Sequence, residues 1–511
     1  MWAVPRLNQE GVLDQLFATV NECYDDVSPV DKEDSSGRRI RSGVTSRKAT
    51  LLLASLSRLL GIQVRKSSLA MNQRQCPRFA IRLLGLFMVI LALGVTASAE
   101  WNEKVLYSFQ GGTDGQLPVG SIVFDSAGNL YGATTQGGAT NCSPLADCGT
   151  VFQLTPPPKQ GDPWTETVLY TFKGAKYGDG DEPAGGLLID SQGNLYGTTA
   201  YGGTGDCVLL GVEGGCGTVF ELSPPSEKGG AWTETILYSF PTAKQGYLPN
   251  GDLVFDSAGN LYGATQYGGG KGTTCDGFYQ YCGAVFELSP PKAKGGKWTE
   301  EVLHAFAGGT DGANPNGGLV LNGNGAVYGT TNSGGNQSCQ YEGQIGCGTA
   351  FELKPPTKKG GGWSEAVLHH FDRTSSDGGN PMAGMVFDAK SRLYGITLNG
   401  GPGGGGVVFR LSLSKKPGSW TEAILYGFNG DTGGYDPEGA LIFDASGNLY
   451  GTTNVGRGGS LRGNVFQLKQ PSGKDRAWTL STIHGFTGIP DGENPTSRLT
   501  SDKAGNLYST T

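Results

Sequence analysis

Eight of the ten cysteines fall in four close pairs: Cys142 with Cys148, Cys207 with Cys216, Cys275 with Cys282, and Cys339 with Cys347. Cysteines so spaced either oxidise or hold a metal. Five to eight residues separate the members of each pair and no histidine lies near them, a poor match to Cys/His zinc sites. Four local disulfides are the better reading, and they imply an oxidising compartment. A second set of chemistry-capable residues sits in Gly- and Pro-rich loops such as "GGTDGQLP", "GDGDEP", "SSDGGNP" and "PDGENP". Asp114, Asp179, Asp181, Asp311, Asp377, Asp436 and Asp491 lie there, with oxygens suited to sugar hydroxyls or calcium. Calcium needs six to eight oxygens, more than one loop supplies, and D-G turns explain the loops without any ligand. No metal or other cofactor is therefore expected, calcium being the one ion the loops invite.

Histidine is scarce. His304, His369 and His484 occupy a repeat position that holds Tyr107, Tyr170, Tyr238 and Tyr426 elsewhere. A residue that exchanges with tyrosine reads as packing at a half-wet aromatic site rather than as catalysis. His370 is the nonrepeating histidine and joins the acidic residues as a candidate ligand-binding group. A third series, Asp125, Asp190, Asp256, Asp388, Asp444 and Asp502, has Asn322 in its fourth place. Asn and Asp cap the same turn, so this series reads as turn chemistry, not charge chemistry.

The elements that carry these residues recur. Seven tryptophans, Trp101, Trp164, Trp232, Trp298, Trp363, Trp420 and Trp478, mark units of 57 to 68 residues. One unit holds four short runs, "GSIVFD", "NLYGATT", "GTVFQL" and "WTETVLYTF". They are rich in β-branched and aromatic residues and bounded by Gly, Pro or Asp. Four strands per unit and seven units predict an all-β, seven-bladed β-propeller. The "GTVFEL" run occurs only six times, and the chain starts its repeats on "WNEKVLYSF", an outer strand without a blade before it. The last blade is thus expected to be incomplete at the C-terminus and closed by the N-terminal strand, with one further "GTVFEL"-like segment, and an anchor after it, continuing past Thr511. Acidic crossover loops and cysteine loops belong on one face of such a ring, and Lys-rich loops such as "KPPTKKGG" on the other.

The runs "GNLYGTT…GG…GTVFEL…VLYSF" over residues 101 to 511 resemble the GloVer (Gloeo_Verruco) tandem repeat of exported bacterial proteins. The resemblance implies a propeller-like fold and an extracytoplasmic location, with no reaction attached. It also implies a variable C-terminal anchor, which the ending "LYSTT" does not display.

Residues 71–99, "MNQRQCPRFAIRLLGLFMVILALGVTASA", show a basic front, a short apolar run and the small residues Ala97-Ser98-Ala99 before Glu100. This succession reads as a secretory signal peptide cleaved before Glu100. Residues 1–70 read as a gene-model extension or a helical or disordered leader, and 100–511 as the seven-repeat propeller. Residues 1–99 hold 13 of the 39 Lys/Arg and 8 of the 46 Asp/Glu, which leaves the remainder at net −12. An acidic domain repels phosphate backbones, which excludes nucleic acid as the natural partner. The sequence therefore predicts a secreted, periplasmic or cell-surface monomer without a membrane span in its mature part. It would bind a glycan or a cell-surface protein through the acidic, disulfide-braced face and be noncatalytic. The alternative is a propeller lyase or glycoside hydrolase acting on envelope or plant polysaccharide.

Overall fold

The computed structural model describes residues 1–4, 101–138, 148–159, 161–209, 212–227, 229–269, 282–293, 295–341, 344–358, 360–416, 418–431, 433–456, 462–472 and 477–511. Two units divide the chain: Met1–Pro5 with Trp101–Thr511, and Arg6–Glu100. The signal-peptide reading at 71–99 lies outside the described residues, as do Cys142 and Cys275.

The first unit is an all-β propeller. Six sheets are complete blades, each an antiparallel four-strand path drawn from one stretch of chain. Blade one shows the pattern: Gln116–Phe124 innermost, then Leu130–Gln136, Thr150–Thr155 and Thr165–Thr171 outermost. Blade six ends on the outer strand Thr479–Gly485. Six complete blades stand where seven units were expected. The remainder of the seventh unit forms a composite sheet, in the order Lys104–Val105, Trp2–Val4, Leu507–Ser509, Thr500–Ser501. The third-strand place of that sheet was expected to be vacant. Trp2–Val4 occupies it: Trp2 pairs with Ser509 on one side and with Val105 on the other. The terminal amine of Met1 donates to the Tyr107 carbonyl at 2.9 Å. An unpaired edge on either side would leave buried N–H and C=O groups without partners, and this short segment supplies them.

The core lies between successive sheets. Leu187, Leu195, Phe220 and Leu222 of blade two pack on Tyr131 and Val151 of blade one. Met1, Leu106 and Tyr508 of the composite sheet pack on Ile122, Leu130 and Phe152 of blade one, and Leu499 and Leu507 pack on Tyr450 and Val465 of blade six. The third strand's Phe lies over the Gly of "LYG": a Cβ on Gly329 would come within 2.6 Å of Phe351 Cζ. That contact explains a glycine in the middle of a buried strand, where it otherwise costs about 0.5–1 kcal/mol. In the composite sheet there is no such Phe, and Ser509 stands in the glycine's place.

A cavity of about 760 Å³ runs along the innermost strands and is lined from every unit, including Leu187, Val254, Val320, Phe387, Phe443 and Thr500. No helix among the described residues is long and apolar enough to cross a membrane.

Candidate functional site

The recurrent Asp turn is structural. Asp125 Oδ1 accepts the backbone N–H groups of Ala127 and Asn129 at 2.8 and 2.9 Å, and Oδ2 accepts Asn129 Nδ2 and Tyr131 Oη at 2.7 and 3.0 Å. Burial opposes ionisation, yet these donors outweigh it and hold Asp125 below the ordinary carboxylate value. Asn322 takes the same backbone bonds from Asn324 and Ala326.

The crossover loops and the cysteine loops do share a face. Gly138 N–H donates to Gly112 O at 2.6 Å, Gly203 to Asp179 O at 2.7 Å and Gly335 to Gly309 O at 2.7 Å. Disulfides Cys207–Cys216 and Cys339–Cys347 are formed, and Cys148 and Cys282 are disulfide-bonded as well. In each unit the residue before the crossover proline is left-handed: Leu117, Glu182, Leu248, Asn314, Asn380, Asp436 and Asn494 have φ between 54° and 59°. Such a conformation is costly for a residue with a side chain and persists only where its surroundings over-determine it. Here the N–H groups of Glu182, Asn314 and Asn380 donate to the carbonyls of Cys148, Cys282 and Cys347 of the preceding blade. The proline then covers the Gly of "GTVF": a Cβ on Gly149 would meet Pro183 Cδ at 2.7 Å.

On this face the predicted acids separate into two groups. Asp114, Asp179, Asp311, Asp377 and Asp491 each accept from the Tyr or His at the end of an outer strand. Tyr107 Oη lies 2.7 Å from Asp114 and Tyr170 Oη 2.9 Å from Asp179. His304, His369 and His484 Nε2 lie 3.0, 3.1 and 2.9 Å from Asp311, Asp377 and Asp491. The histidines thus do the tyrosine's hydrogen bonding as well as its packing. Backbone N–H groups of Gln110, Ala307 and Thr487 complete the shells at 2.6, 2.6 and 2.7 Å. Asp181 and Asp436 sit apart, nearer the inner strands. Asp181 is buried with Oδ1 unpartnered, and burial, with Glu182 and Asp179, pushes it up to about 7. His370 is exposed at an outer-strand end and joins none of these groups.

Each of these five Asp–Tyr or Asp–His pairs, a station, has a glutamate as a third member that the sequence does not mark as a site, and in the unit without the aspartate Glu300 stands beside Tyr238. Glu103, Glu166, Glu234, Glu300, Glu365 and Glu422 each have a buried Oε1 with no hydrogen-bond partner. Burial and the station aspartate push Glu166, Glu234 and Glu422 up to about 7. The signal was present: in six of seven units a Glu stands two residues after the Trp, and in the other Leu480 replaces it. For His369 burial favours the neutral ring, but the hydrogen bond and charge of Asp377 raise its pKa above the ordinary value.

Inside the ring of loops opens the mouth of the channel, a cavity of about 320 Å³. The position after the crossover proline contributes one residue per unit to its lining: Val119, Ala184, Asn250, Asn316, Met382, Glu438 and Thr496. Two residues further in, Ser121, Asp252 and Arg498 add polar groups. Asp252 accepts from Ser121 Oγ at 2.6 Å and Gly186 N–H at 2.8 Å. Asn250 Nδ2 donates to Asn316 Oδ1, and Asn454 Nδ2 donates to Glu438 at 3.1 Å.

Among solved structures, a likeness is found to PorZ, a bacterial surface component of the type-IX secretion system of Porphyromonas gingivalis. It has 13% identity and a TM-score of 0.41, over 81% of this chain and 49% of that one. Another is to a putative oxidoreductase (glucose dehydrogenase) of Thermus thermophilus, with 15% identity and a TM-score of 0.36, over 67% of this chain and 92% of that one. The chain spans about half the length of PorZ. No curated protein matches the sequence. The repeat itself is matched over residues 95–341 and 338–511, and the chain belongs to the Gloeobacter/Verrucomicrobia repeat family.

Proposed function

We propose that the chain is an exported, noncatalytic interaction module that holds a hydroxyl-rich ligand, a glycan end or a cell-surface glycoprotein, at the channel mouth on its disulfide-braced face. The carrying observation is the ring of residues after the crossover prolines. The flanking proline recurs in every unit, as does the left-handed residue before it. The ring itself runs Val, Ala, Asn, Asn, Met, Glu, Thr. A position that varies within an otherwise repeated frame is where a scaffold places its recognition chemistry. Amides and a carboxylate on a cavity of small-ligand size suit hydroxyl donors and acceptors.

In this reading residues 71–99 direct export, and the disulfides suit the compartment reached. The lyase or hydrolase reading finds its support in the station carboxylates, since a Glu raised to about 7 beside an Asp has the acid–base character of glycoside cleavage. An array of bacterial-envelope and plant glycans tests both. Retention of intact glycans that is lost in Asn316→Ala and Glu438→Ala, and kept in Lys358→Ala on the opposite face, supports the binding module. Cleaved glycans would replace it with the enzyme reading. Retention unaffected by the two mouth substitutions would remove the mouth from the account.

A further inference from the structure

Two of the histidine stations have more than a hydrogen bond. One ligand atom each from His369, Asp377 and Glu422, and likewise from Glu103, His484 and Asp491, lie within 4.8 Å of one another. The glutamate's unpartnered oxygen is shared by the other stations; what sets these two apart is that a histidine nitrogen and an aspartate oxygen stand at ligand spacing from the glutamate. The Oε1 atoms of Glu422 and Glu103 are buried and unpartnered, although the histidine beside each carries a nitrogen able to ligate. A buried carboxylate oxygen without a partner is costly, and a cation bound by all three side chains would remove that cost. The stations are also reachable: the side chains of His369 and His484 retain 23% and 21% of their exposure. One imidazole and two carboxylates form a three-ligand set with a fourth place for water, and the nitrogen ligand favours zinc over calcium or magnesium.

We propose that these two stations bind Zn²⁺, one ion each. On binding, the Nε2 proton now shared with the aspartate passes to solvent and the nitrogen lone pair goes to the metal. The tyrosine stations at Tyr107 and Tyr170 lack that nitrogen. The His304–Asp311–Glu365 station is not among those that bring three ligand atoms to this spacing. The Glu103 site has a structural consequence. Glu103 belongs to the segment entering the composite sheet, whereas His484 and Asp491 follow from blade six, so an ion there fastens the ring where the two ends of the chain meet.

The test is equilibrium dialysis of the EDTA-stripped full chain against Zn²⁺, with the bound metal measured by mass spectrometry. The substitutions His369→Tyr, His484→Tyr and His304→Tyr install the residue that this position carries at Tyr107, Tyr170, Tyr238 and Tyr426, so the fold tolerates them. Each of the first two should lose one equivalent of zinc, the double variant two, and His304→Tyr none. Zinc held elsewhere on the chain is common to all variants and cancels in the differences. Glu422→Gln and Glu103→Gln give the same readout should a tyrosine variant misfold. Equal zinc uptake by the wild type and the double variant overturns the proposal.

Discussion

Replacing Gly329 by Ala isolates the contact that makes the "LYG" glycine a requirement of the blade. Gly329 does not have a left-handed φ, so alanine is free to adopt its conformation and only space decides the outcome. The new Cβ would lie 2.6 Å from Phe351 Cζ, 2.8 Å from Leu319 Cδ2 and 3.0 Å from Phe351 Cε1. Ordinary carbon contacts are about 3.5–4.0 Å, so ring and leucine must each retreat by about 1 Å. Phe351 is fully buried and packs edge-on against Phe306 at 5.2 Å, which leaves little room for that movement. Overpacking of this kind costs about 1–3 kcal/mol, offset by about 0.5–1 kcal/mol of backbone entropy gained over glycine. A net loss of up to about 2.5 kcal/mol should follow. Phe351→Leu removes both offending ring atoms and gives Leu319 room to retreat, so in that background Gly329→Ala should cost clearly less. Urea denaturation of the four proteins, followed by circular dichroism and tryptophan fluorescence, gives the coupling energy. If Gly329→Ala costs the same with and without the Phe351 ring, the ring is not what the glycine serves.

Stability in EDTA should fall as pH rises from about 4.5 to 7. Glu166 and Glu234 have folded-state values of about 7 against an ordinary 4.5, so in that window the folded chain binds more protons than the unfolded one. A melting temperature at pH 8 equal to or above that at pH 5 would contradict this. Reduction should loosen the loops closed by Cys207–Cys216 and Cys339–Cys347, each contributing about 2–3 kcal/mol locally at most. Most of the strand signal should survive, because blades five and six have no such pair; loss of the strand signal on adding reductant would refute it. N-terminal sequencing of the exported protein should begin at Glu100. Cleavage there would release Trp2–Val4 and raise hydrogen exchange at Leu507–Ser509, whereas peptides from residues 1–70 in the exported product would refute the cleavage.

Strand order, the Asp turns and the gathering of acidic and cysteine loops on one face were legible in the sequence because each is local. A turn such as Asp125 to Asn129 closes within five residues, and antiparallel connectivity decides which loops share a side. The station glutamates were not legible as a site. "WTET" reads as a polar strand start, and its Glu meets an Asp from an earlier crossover loop, as Glu422 meets Asp377. Only the packing of one blade on the next brings them together. The channel-mouth ring has the same character, since Asn250, Asn316 and Glu438 are dispersed in the chain and converge only when the ring closes. The composite sheet escaped for another reason. Trp2–Val4 carries no repeat signature, and its place is decided by the unpaired edges of Val105 and Ser509 rather than by its own residues. The histidines read in the sequence as occupants of the tyrosine position, but the hydrogen bond to aspartate depends on a loop the strand pattern does not show.

Recognition at the mouth of the channel is tested most directly by hydrogen–deuterium exchange of the full chain with and without a glycan retained on the array. Protection is predicted in the segments 119–121, 250–252, 316–318, 438–440 and 496–498, which converge only in the closed ring. Protection confined to the Lys-rich loops near 224–230 and 355–361, with those inner segments unchanged, would contradict it.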